Sequence, residues 1–395
     1  MNRRHFLQTS AGTALWLSGL SIHGTTAARY RVAVIGRTGR GNYGHGLDIV
    51  WKQIPQAEIV AVADENETGR AEAAKRLNAP RAYADYHEML EKEKPQIVSV
   101  APRWLDCHRD MVIACAEAGV LGIMMEKPMA RTLAEADEMI AACDRARVKT
   151  VITHQTRYSP RLERVKEMIA AGKLGDILEL RGRGKEDSRG GGEDLMVLGS
   201  HIMDLMRLLA GDAKWCMARV LDGGKPVTRA EVRDGNEGIG PLAGDRIDAM
   251  YGFAPPTVGF FSSQRNAGKP TSRFGLRVLG TKGCLDIGTG SLPNVFFLDD
   301  PQWRGGNARW QPVTSAGLNL PEPLPTKGPS DLNAGNIWIA QDLIRAIETD
   351  AQPKGSFADG RAALEMILAV YESHRLGGLA PLPLKDRDHP LKKLS

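Results

Sequence analysis

Short apolar runs alternate with longer amphipathic stretches over residues 30–152. The runs predict buried strands, and the stretches, in which apolar residues recur three or four positions apart, predict helices. Alternation of this kind builds a doubly wound parallel sheet with helices on both faces. Strands are expected at 30–35, 58–63, 97–101, 120–125 and 148–152, and helices directly after the first strand and at 68–77, 106–118 and 133–147.

The pattern changes after residue 152, where strands follow one another with little helix between them and predict a large, mostly antiparallel open sheet. The expected strands are 177–183, 215–221, 246–253, 257–262, 274–279 and 295–298. Helices are expected at 161–171, around 201, at 336–349 and at 359–376, with a flexible loop at 190–192 and an irregular segment at 299–335. The chain is thus predicted to be α/β, with a Rossmann domain at 29–152 and an α+β substrate and oligomerisation domain at 153–395, closed by C-terminal helices.

The first 28 residues have the layout of a bacterial export signal. A twin-arginine pair, a Phe-Leu pair, an apolar core and a small-residue exit follow one another at Arg3-Arg4, Phe6-Leu7, 14–20 and 26–28. The core is too short to span a bilayer as a stable helix, so this order is typical of a twin-arginine signal peptide. We expect residues 1–28 to be removed and the folded protein to reach the periplasm. The alternative is an uncleaved N-terminal tail.

Charge and cysteine content argue against several classes of protein. The 395 residues carry a formal net charge of +5, of which Arg3 and Arg4 supply two. So small and evenly spread a charge does not indicate nucleic-acid binding. No later segment is long and apolar enough to predict a membrane span. The five cysteines are odd in number, widely spaced and without CxxC pairs, which indicates neither a disulfide framework nor a metal site.

A glycine-rich turn, residues 36–46, follows the first strand. Such a turn lets the backbone approach a pyrophosphate, which the N-terminus of the next helix then holds. One register of the dinucleotide fingerprint begins at Gly36 and places threonine in the second glycine position. The other begins at Gly39, three residues beyond the strand, and is complete. The candidate cofactor ligands in this turn are Gly36, Thr38, Gly39, Arg40 and Gly41.

Asp64 ends the second strand, where an acid can bind the ribose hydroxyls of NAD. The same acid would repel the 2′-phosphate of NADP, so the sequence favours NAD. NADP remains an alternative, because an arginine that reaches the ribose would reverse the preference. The candidates are Arg37, Arg40 and Arg70.

Several motifs later in the chain follow one another in a recognisable order. Ala101-Pro102 and His108 come after the third strand, and Glu126-Lys127-Pro128 after the fourth. They are followed by the segments 155–160, 199–204, 359–361, 371–374 and 381–384. Together these motifs resemble the Gfo/Idh/MocA family of nicotinamide-dependent oxidoreductases over residues 29–385. The resemblance implies action on sugars, cyclitols or related compounds.

The resemblance also implies roles for individual residues. Lys127 is expected beside the nicotinamide, where its ammonium would bind the reacting hydroxyl and stabilise the alkoxide. His201 is expected in the substrate pocket, where it would relay the hydroxyl proton. The further cofactor ligands are Asp64, Pro102, His108, Glu126 and Lys127, and the substrate ligands are Arg157, Tyr158, His201 and Asp204.

One position departs from the family's pattern. The family's dehydrogenases commonly carry an aspartate four residues before the pocket histidine, and Val197 stands there. Valine can neither bind a sugar hydroxyl nor accept a proton. Glu193 and Asp194 lie one turn further back and would substitute only after a change of register. The usual Lys-Asp-His set is therefore incomplete.

Three functions fit these observations. The first is a periplasmic NAD-dependent oxidoreductase that acts on a sugar, cyclitol or glycoside and keeps its cofactor tightly bound, since the periplasm holds no substantial pool of free nucleotide. The second is a redox-neutral NAD-dependent glycosidase or lyase. The third is a binding protein that retains NAD without catalysis. Val197 supports this interpretation, because it replaces the aspartate of the usual Lys-Asp-His set. In each case the family resemblance implies a homo-oligomer joined through the open sheet.

Overall fold

The computed structural model describes residues 29–268, 272–324 and 331–395. The export signal predicted at residues 1–28 lies outside the described residues. Within the described ranges the chain is organised around two large sheets, one of six strands and one of eleven. No helix in these ranges is long and apolar enough to cross a membrane.

The first sheet is entirely parallel, with strand order β3-β2-β1-β4-β5-β6. Its strands are β1 (Tyr30–Ile35), β2 (Ala57–Ala63), β3 (Arg81–Tyr83), β4 (Ile97–Val100), β5 (Gly122–Met125) and β6 (Lys149–Ile152). Its helices are α1 (Glu67–Leu77), α2 (Tyr86–Glu93), α3 (His108–Glu117) and α4 (Leu133–Ala146). The sequence pattern missed β3 and α2. Strand β3 has only three residues and lies exposed or half-buried at the edge of the sheet, so no buried apolar run marks it.

The helix predicted directly after β1 is wrong. Residues 36–48 form an irregular loop, and only one short 3₁₀ turn, Ile49–Gln53, precedes β2. Glycines 39, 41, 44 and 46 all adopt positive φ, a conformation that breaks a helix. A helix from the far end of the chain, α8 (Asp331–Thr349), covers this face of the sheet instead, and its Leu343 and Ile344 pack in one cluster with Val32 and Val34 of β1.

The second sheet is mostly antiparallel, with order β18-β17-β16-β15-β14-β7-β13-β12-β8-β19 and β9 paired to β8. Together with the six-stranded Rossmann sheet it confirms the predicted fold class. Its strands are β7 (Ile177–Arg183), β8 (Trp215–Asp222), β9 (Lys225–Pro226), β12 (Arg246–Gly252), β13 (Val258–Gln264), β14 (Gly275–Gly280), β15 (Cys284–Gly288), β16 (Val295–Leu298), β17 (Gln311–Thr314), β18 (Gly317–Leu318) and β19 (Ala380–Pro381). A separate hairpin is formed by β10 (Arg233–Asp234) and β11 (Pro241–Leu242).

The remaining helices are α5 (Pro160–Ala170), α6 (Gly192–Val197), α7 (Gly199–Ala210) and α9 (Phe357–Leu376). Two local predictions differ from the structure. The glycine loop expected at 190–192 already begins α6 at Gly192, and the irregular segment 299–335 contains β17 and β18 and the start of α8. Helices α7 and α9 pack on one another between the sheets, with Ile202 and Met206 of α7 against Gly182 of β7.

Candidate active site

A cleft of about 450 Å³ lies at the carboxyl ends of β1 and β2. Ligands of open parallel sheets bind at this edge, outside the strand ends. Its walls come from the ends of β1 and β2, the segment before α2 and the start of α3. The lining residues include Gly36, Asp64, Glu65, Tyr86, Asp106 and Met111. Its size and place fit part of a dinucleotide.

The glycine-rich loop beside this cleft packs tightly on the segment after β4. A Cβ on Gly41 would lie 2.4 Å from the backbone nitrogen of Arg103, and one on Gly44 would lie 2.5 Å from the carbonyl oxygen of Ala101. Both glycines have positive φ, +89° and +63°. Only glycine fits such contacts in this conformation. The loop therefore needs glycine at positions 41 and 44, and it holds them against the strand end where a dinucleotide would lie.

Asp64, predicted to bind the ribose, is 1% exposed. Its carboxylate accepts hydrogen bonds from the Thr38 backbone N–H at 3.0 Å and the Thr38 hydroxyl at 2.7 Å. The Tyr43 hydroxyl and the Asn66 backbone N–H donate to it at 2.9 and 3.0 Å. These bonds occupy both carboxylate oxygens, and this favours a role for Asp64 in bracing the glycine-rich loop. Thr38 shares that role.

Each of the three arginines that were candidates for binding the 2′-phosphate of NADP donates a hydrogen bond within the protein. Arg37 Nε donates to Glu65 at 2.8 Å, Arg40 Nη2 to Asp106 at 2.6 Å, and Arg70 Nη1 to the backbone carbonyl of Asp64 at 2.9 Å. Glu65 also lines the cleft and is far more exposed than Asp64. The carboxylates that pair with Arg37 and Arg40, and the carbonyl that holds Arg70, favour the ribose of NAD, which carries no 2′-phosphate.

Pro102 and His108 stabilise the segment after β4. The His108 ring is fully buried, with Nε2 2.7 Å from the Pro102 carbonyl oxygen and Nδ1 3.1 Å from that of Met129. His108 thus ties the end of β4 to the turn after β5. His108 therefore acts on cofactor binding only by positioning this backbone.

Glu126 joins the glycine-rich loop to the end of β5. It accepts hydrogen bonds from the backbone N–H of His45 at 2.8 Å and of Lys127 at 2.9 Å, and the His45 ring contacts it at 2.5 Å. Burial alone would raise the pKa of this carboxyl. The hydrogen bonds and charge of His45, with the charge of Lys127, outweigh burial and lower the pKa to about 2. Glu126 is therefore a buried anion that supports the adjacent lysine.

Lys127 follows β5 and is 7% exposed. Its Nζ donates to the backbone carbonyl oxygen of Val197 at 3.1 Å. Burial lowers the pKa of this ammonium, and the carboxylates of Glu126 and Glu237 act in the opposite direction. The Lys127 ammonium thus has a carbonyl dipole as its partner, and a carboxylate in that place would stabilise its charge more strongly.

His201 lies four residues beyond Val197 on α7 and is half-buried. Its ring packs edge-on against that of His154, with 5.4 Å between centroids, and against Phe274 at 6.3 Å. Burial, then the charges of Lys127 and His154, hold the pKa of His201 well below its usual value. The imidazole is therefore neutral at neutral pH, the state in which it can accept a proton.

Arg157 and Asp204, both predicted to bind substrate, bind each other. Arg157 Nε and Nη2 donate to the Asp204 carboxylate at 3.0 and 2.6 Å, and both residues are buried. Burial would raise the pKa of Asp204, but Arg157 and then His154 hold it well below its usual range. Tyr158 is also buried, and its hydroxyl accepts a hydrogen bond from the Gly355 backbone N–H at 2.9 Å. These partners favour structural roles for Arg157 and Tyr158.

Neither acid near Val197 replaces the missing aspartate in the described hydrogen bonds. Asp194 accepts from the Ser263 hydroxyl at 2.5 Å and the Glu186 backbone N–H at 3.0 Å. Glu193 accepts from the Asn236 side chain at 3.2 Å. The change of register that either acid would need has not occurred. The Val197 side chain itself is buried in the main hydrophobic core.

The hairpin of residues 233–242, here called the roof hairpin, crosses from the second domain to the segment after β4. Its Glu237 lies 3.8 Å from Arg103, and a Cβ on Gly238 would lie 3.0 Å from the Asp106 side chain. Glu237 adopts a left-handed φ of 56°. Its charge, like those of Arg103 and Arg189, acts on Lys127. The roof hairpin therefore brings the charge of Glu237 near Lys127.

The sequence pattern missed three residues of this site: His45, His154 and Glu237. His154 follows β6 just as Lys127 follows β5, and polar residues after neighbouring parallel strands meet at one edge. That signal was present in the sequence for His154. No such signal existed for Glu237, because the roof hairpin is placed by contacts across the two domains.

These features define a two-domain, dinucleotide-binding oxidoreductase. The family model "Oxidoreductase family, NAD-binding Rossmann fold" matches residues 30–154, and the "GFO/IDH/MocA C-terminal domain" model matches residues 162–286. Together the two models span more than half of the chain. The chain belongs to the Gfo/Idh/MocA family, and its first domain is that family's NAD-binding domain.

Three curated relatives are dehydrogenases of small polyols or sugars. Levoglucosan dehydrogenase of Pseudarthrobacter phenanthrenivorans is 27% identical over 79% of this chain and 86% of its own length. D-apiose dehydrogenase of Paraburkholderia graminis is 32% identical over 48% of this chain and 52% of its own. Myo-inositol 2-dehydrogenase of Thermotoga maritima is 31% identical over 38% of this chain and 44% of its own. The last two thus match about half of their length or less.

Solved structures share the fold of both domains. Levoglucosan dehydrogenase in complex with NADH and levoglucosan has a TM-score of 0.72 at 22% identity, covering 90% of this chain and 100% of that one. An oxidoreductase from Agrobacterium radiobacter in complex with NAD⁺, L-tartaric acid and magnesium has a TM-score of 0.68 at 18% identity, covering 90% and 98%.

Proposed function

We propose that this protein is an NAD-dependent oxidoreductase that acts on a CH–OH group of a sugar, cyclitol or glycoside. The observation that carries the proposal is the pairing of Lys127 with the end of α6, directly before α7. The lysine hydrogen-bonds to Val197, and its charge acts on His201 one turn further along. An amine and a neutral imidazole thus meet at the edge of the sheet where the cofactor cleft lies.

The two side chains have complementary tasks toward a hydroxyl. His201 accepts the hydroxyl proton, since its lowered pKa keeps it neutral. Lys127 donates a hydrogen bond to the same oxygen and stabilises the negative charge that develops there. NAD, when bound, supplies the acceptor for the hydride of the carbinol carbon.

A purely binding protein would have little reason to keep these groups. Burying an unpaired polar group costs about 1–3 kcal/mol, and Nδ1 of His201 is buried without a partner in the described part of the chain. Lys127 is nearly enclosed with a single carbonyl partner. Two groups that cost stability and lie close enough for the charge of one to act on the other favour catalysis over binding alone.

The periplasmic location and the tight retention of cofactor are also proposals. The Arg3-Arg4 segment supports the location, since twin-arginine export carries folded proteins. The roof hairpin supports retention, since it bridges Glu193 of α6 and Arg103 beside the cofactor cleft. A retained cofactor must be regenerated in place, either by a second substrate or by return of the hydride to the same substrate.

The test of activity uses protein purified from an exported source, without added nucleotide. Levoglucosan, myo-inositol, D-apiose and a panel of glycosides are supplied, and bound NADH absorbance and products are followed. Reduction of the bound nucleotide by any of them supports the oxidoreductase. Cleavage of a glycoside without net NADH identifies the redox-neutral reaction. Protein that binds NAD but converts none of a broad panel would leave the binding protein as the better account.

Two further measurements test the location and the retention. Arg3→Lys combined with Arg4→Lys should leave the protein in the cytoplasmic fraction, and unchanged periplasmic protein would contradict the export proposal. NAD should remain with the protein through gel filtration. Complete loss of the nucleotide, with activity restored only by free NAD, would contradict retention.

We propose, finally, that the second sheet joins copies of the chain. Met217 on β8 and Phe296 on β16 expose 55% and 39% of their surface, more than apolar side chains usually do in the middle of a covered sheet. Sedimentation should therefore show an oligomer. Met217→Lys combined with Phe296→Lys should dissociate it, and a wild-type monomer would contradict the proposal.

A further inference from the structure

A line of buried polar groups runs from the Arg157–Asp204 ion pair toward the active site. Nδ1 of His154 lies 3.6 Å from the Asp204 carboxylate, and the His154 ring packs edge-on against His201. His154 and Asp204 are 2% and 1% exposed. Asp204 therefore lies at one end of this line, and His201, the proposed proton acceptor, lies at the other.

Three ring nitrogens along this line have no hydrogen-bond partner within the described part of the chain: Nδ1 and Nε2 of His154 and Nδ1 of His201. Unpaired buried nitrogens on adjacent rings are costly. A water molecule with two or more polar partners is the usual way in which proteins satisfy such groups. A single water molecule is suited to bridge the unpaired nitrogens of His154 and His201, whose rings pack against each other.

The electrostatics of the site call for such a connection. A proton accepted by His201 creates an imidazolium near the Lys127 ammonium, and like charges repel. The aspartate that commonly stands at position 197 in the family's dehydrogenases is replaced by Val197. Asp204 is a carboxylate whose charge favours the imidazolium, and His154 lies between them.

We propose that His154 is a relay and positioning residue that connects His201 to Asp204 through a bridging water. His201 begins with a proton on Nδ1 and a lone pair on Nε2. The substrate O–H bond breaks as Nε2 gains its proton, the Nδ1 proton passes to the water, and the water passes one of its own to His154. The positive charge then rests beside Asp204. No electrons are transferred in these steps, and the water is restored.

The inference rests on the proposed function in one respect, namely that His201 accepts the substrate proton. The groups that face the pair are Lys127 after β5, His45 of the glycine-rich loop, Asp204 on α7 and Arg157 before α5. The uncharged ring of Phe274 packs edge-on against His201.

The first experiment needs no substrate. Imidazole ¹⁵N shifts of His154 and His201 are followed by NMR against pH, in the wild type and in His154→Phe. Coupled groups titrate in shared macroscopic steps. The wild type is expected to show two steps that both rings report, and His154→Phe a single step for His201. A His201 titration that is single-step in the wild type and unchanged by the substitution would overturn the relay.

The second experiment measures turnover on whichever substrate the wild type converts. His154→Phe is expected to lower kcat by at least about tenfold with little change in KM, and to move the acid limb of the kcat profile. His389→Phe is the matched control, since His389 is equally buried but packs on Tyr371 in the C-terminal segment. An unchanged pH profile in His154→Phe would contradict the relay.

The two experiments separate the possible failures. Wild-type protein without activity on any substrate, but with coupled titration of the two rings, would count against the proposed function and leave the connection between the rings standing. His154→Gln serves as a second variant where His154→Phe does not fold. It keeps a polar side chain but cannot carry a proton, so the same loss of coupling is expected.

Discussion

Nζ of Lys127 donates a hydrogen bond to the backbone carbonyl oxygen of Val197 at 3.1 Å. The lysine thus meets the residue at which the family's pattern carries an aspartate, but it meets the main chain in place of a carboxylate. A carbonyl dipole compensates a buried ammonium less than a negative charge does. The contact preserves the position of the lysine while leaving its pKa lowered.

Restoring the acid should change the electrostatics of the site. Val197→Asp introduces a carboxylate at the residue whose carbonyl contacts Lys127, and a negative charge near Lys127 and His201 favours the protonated form of both. We expect the two limbs of the pH profile of kcat/KM to move to higher pH, with a gain in simple dehydrogenase activity. Val197→Asn is the control, because it has nearly the same shape without the charge. Equal profiles for the two variants would contradict this account.

Replacing the lysine should remove turnover and spare the fold. Lys127→Ala loses the group that stabilises the developing alkoxide, so a fall in kcat of about 10² or more is expected. NAD binding, followed by fluorescence titration, should be nearly unchanged, since the side chain hydrogen-bonds to Val197 at the end of α6. Lys92→Ala, an exposed change on α2, is the control. Near-normal activity of Lys127→Ala on a true substrate would refute the proposed chemistry.

The pH dependence of the wild type follows from the two lowered pKa values. His201 must be neutral to accept a proton, and its pKa lies well below the usual value of about 6.5. Lys127 must be charged, and its pKa lies below the usual value of about 10.4. Activity should therefore persist as the pH falls below 6.5 and decline only near the depressed His201 value. It should also be lost on the alkaline side earlier than for an ordinary lysine. An acid limb at or above pH 6.5 would contradict these assignments.

The glycine-rich loop offers a matched pair of variants. Gly44→Ala drives a Cβ to 2.5 Å from the Ala101 carbonyl at a φ of +63°, whereas Gly39→Ala meets nothing within 4 Å at a similar φ of +83°. Both incur backbone strain of about 1 kcal/mol. Only Gly44→Ala should displace the loop, so NAD affinity should fall strongly in that variant and little in Gly39→Ala. Similar affinities would show that the close approach is unimportant for the cofactor.

The buried ion pair below the site should dominate local stability. Arg157→Ala leaves the Asp204 carboxylate buried without its cation, and breaking such a pair costs about 3–5 kcal/mol. Arg164→Ala removes an exposed pair with Glu167 and should cost less than about 1 kcal/mol. The free energies of unfolding in urea check both values. A loss in Arg157→Ala no larger than in Arg164→Ala would show that the pair is not structural.

Much of the first domain could be read from its pattern. The parallel strands are four to seven residues long and mostly buried, apart from β3, so their apolar runs stand out locally. The place of Lys127 followed from the same reasoning, since it comes directly after the buried strand β5 and such strand ends form the ligand edge of the sheet. The departure at Val197 was likewise visible in the sequence, because it depends only on a spacing of four residues from His201.

The partners of the polar side chains were decided only by the tertiary structure. Asp64 was predicted to face the ribose, but in the folded protein its oxygens accept bonds from Thr38 and Tyr43, more than twenty positions away in the chain. Arg157 and Asp204, 47 residues apart in the chain, form a buried ion pair with each other. Local pattern determines which segments become strands and helices, because it depends on neighbours within a few residues. Which carboxylate a buried arginine or histidine meets depends on how those segments pack, and no local pattern contains that information.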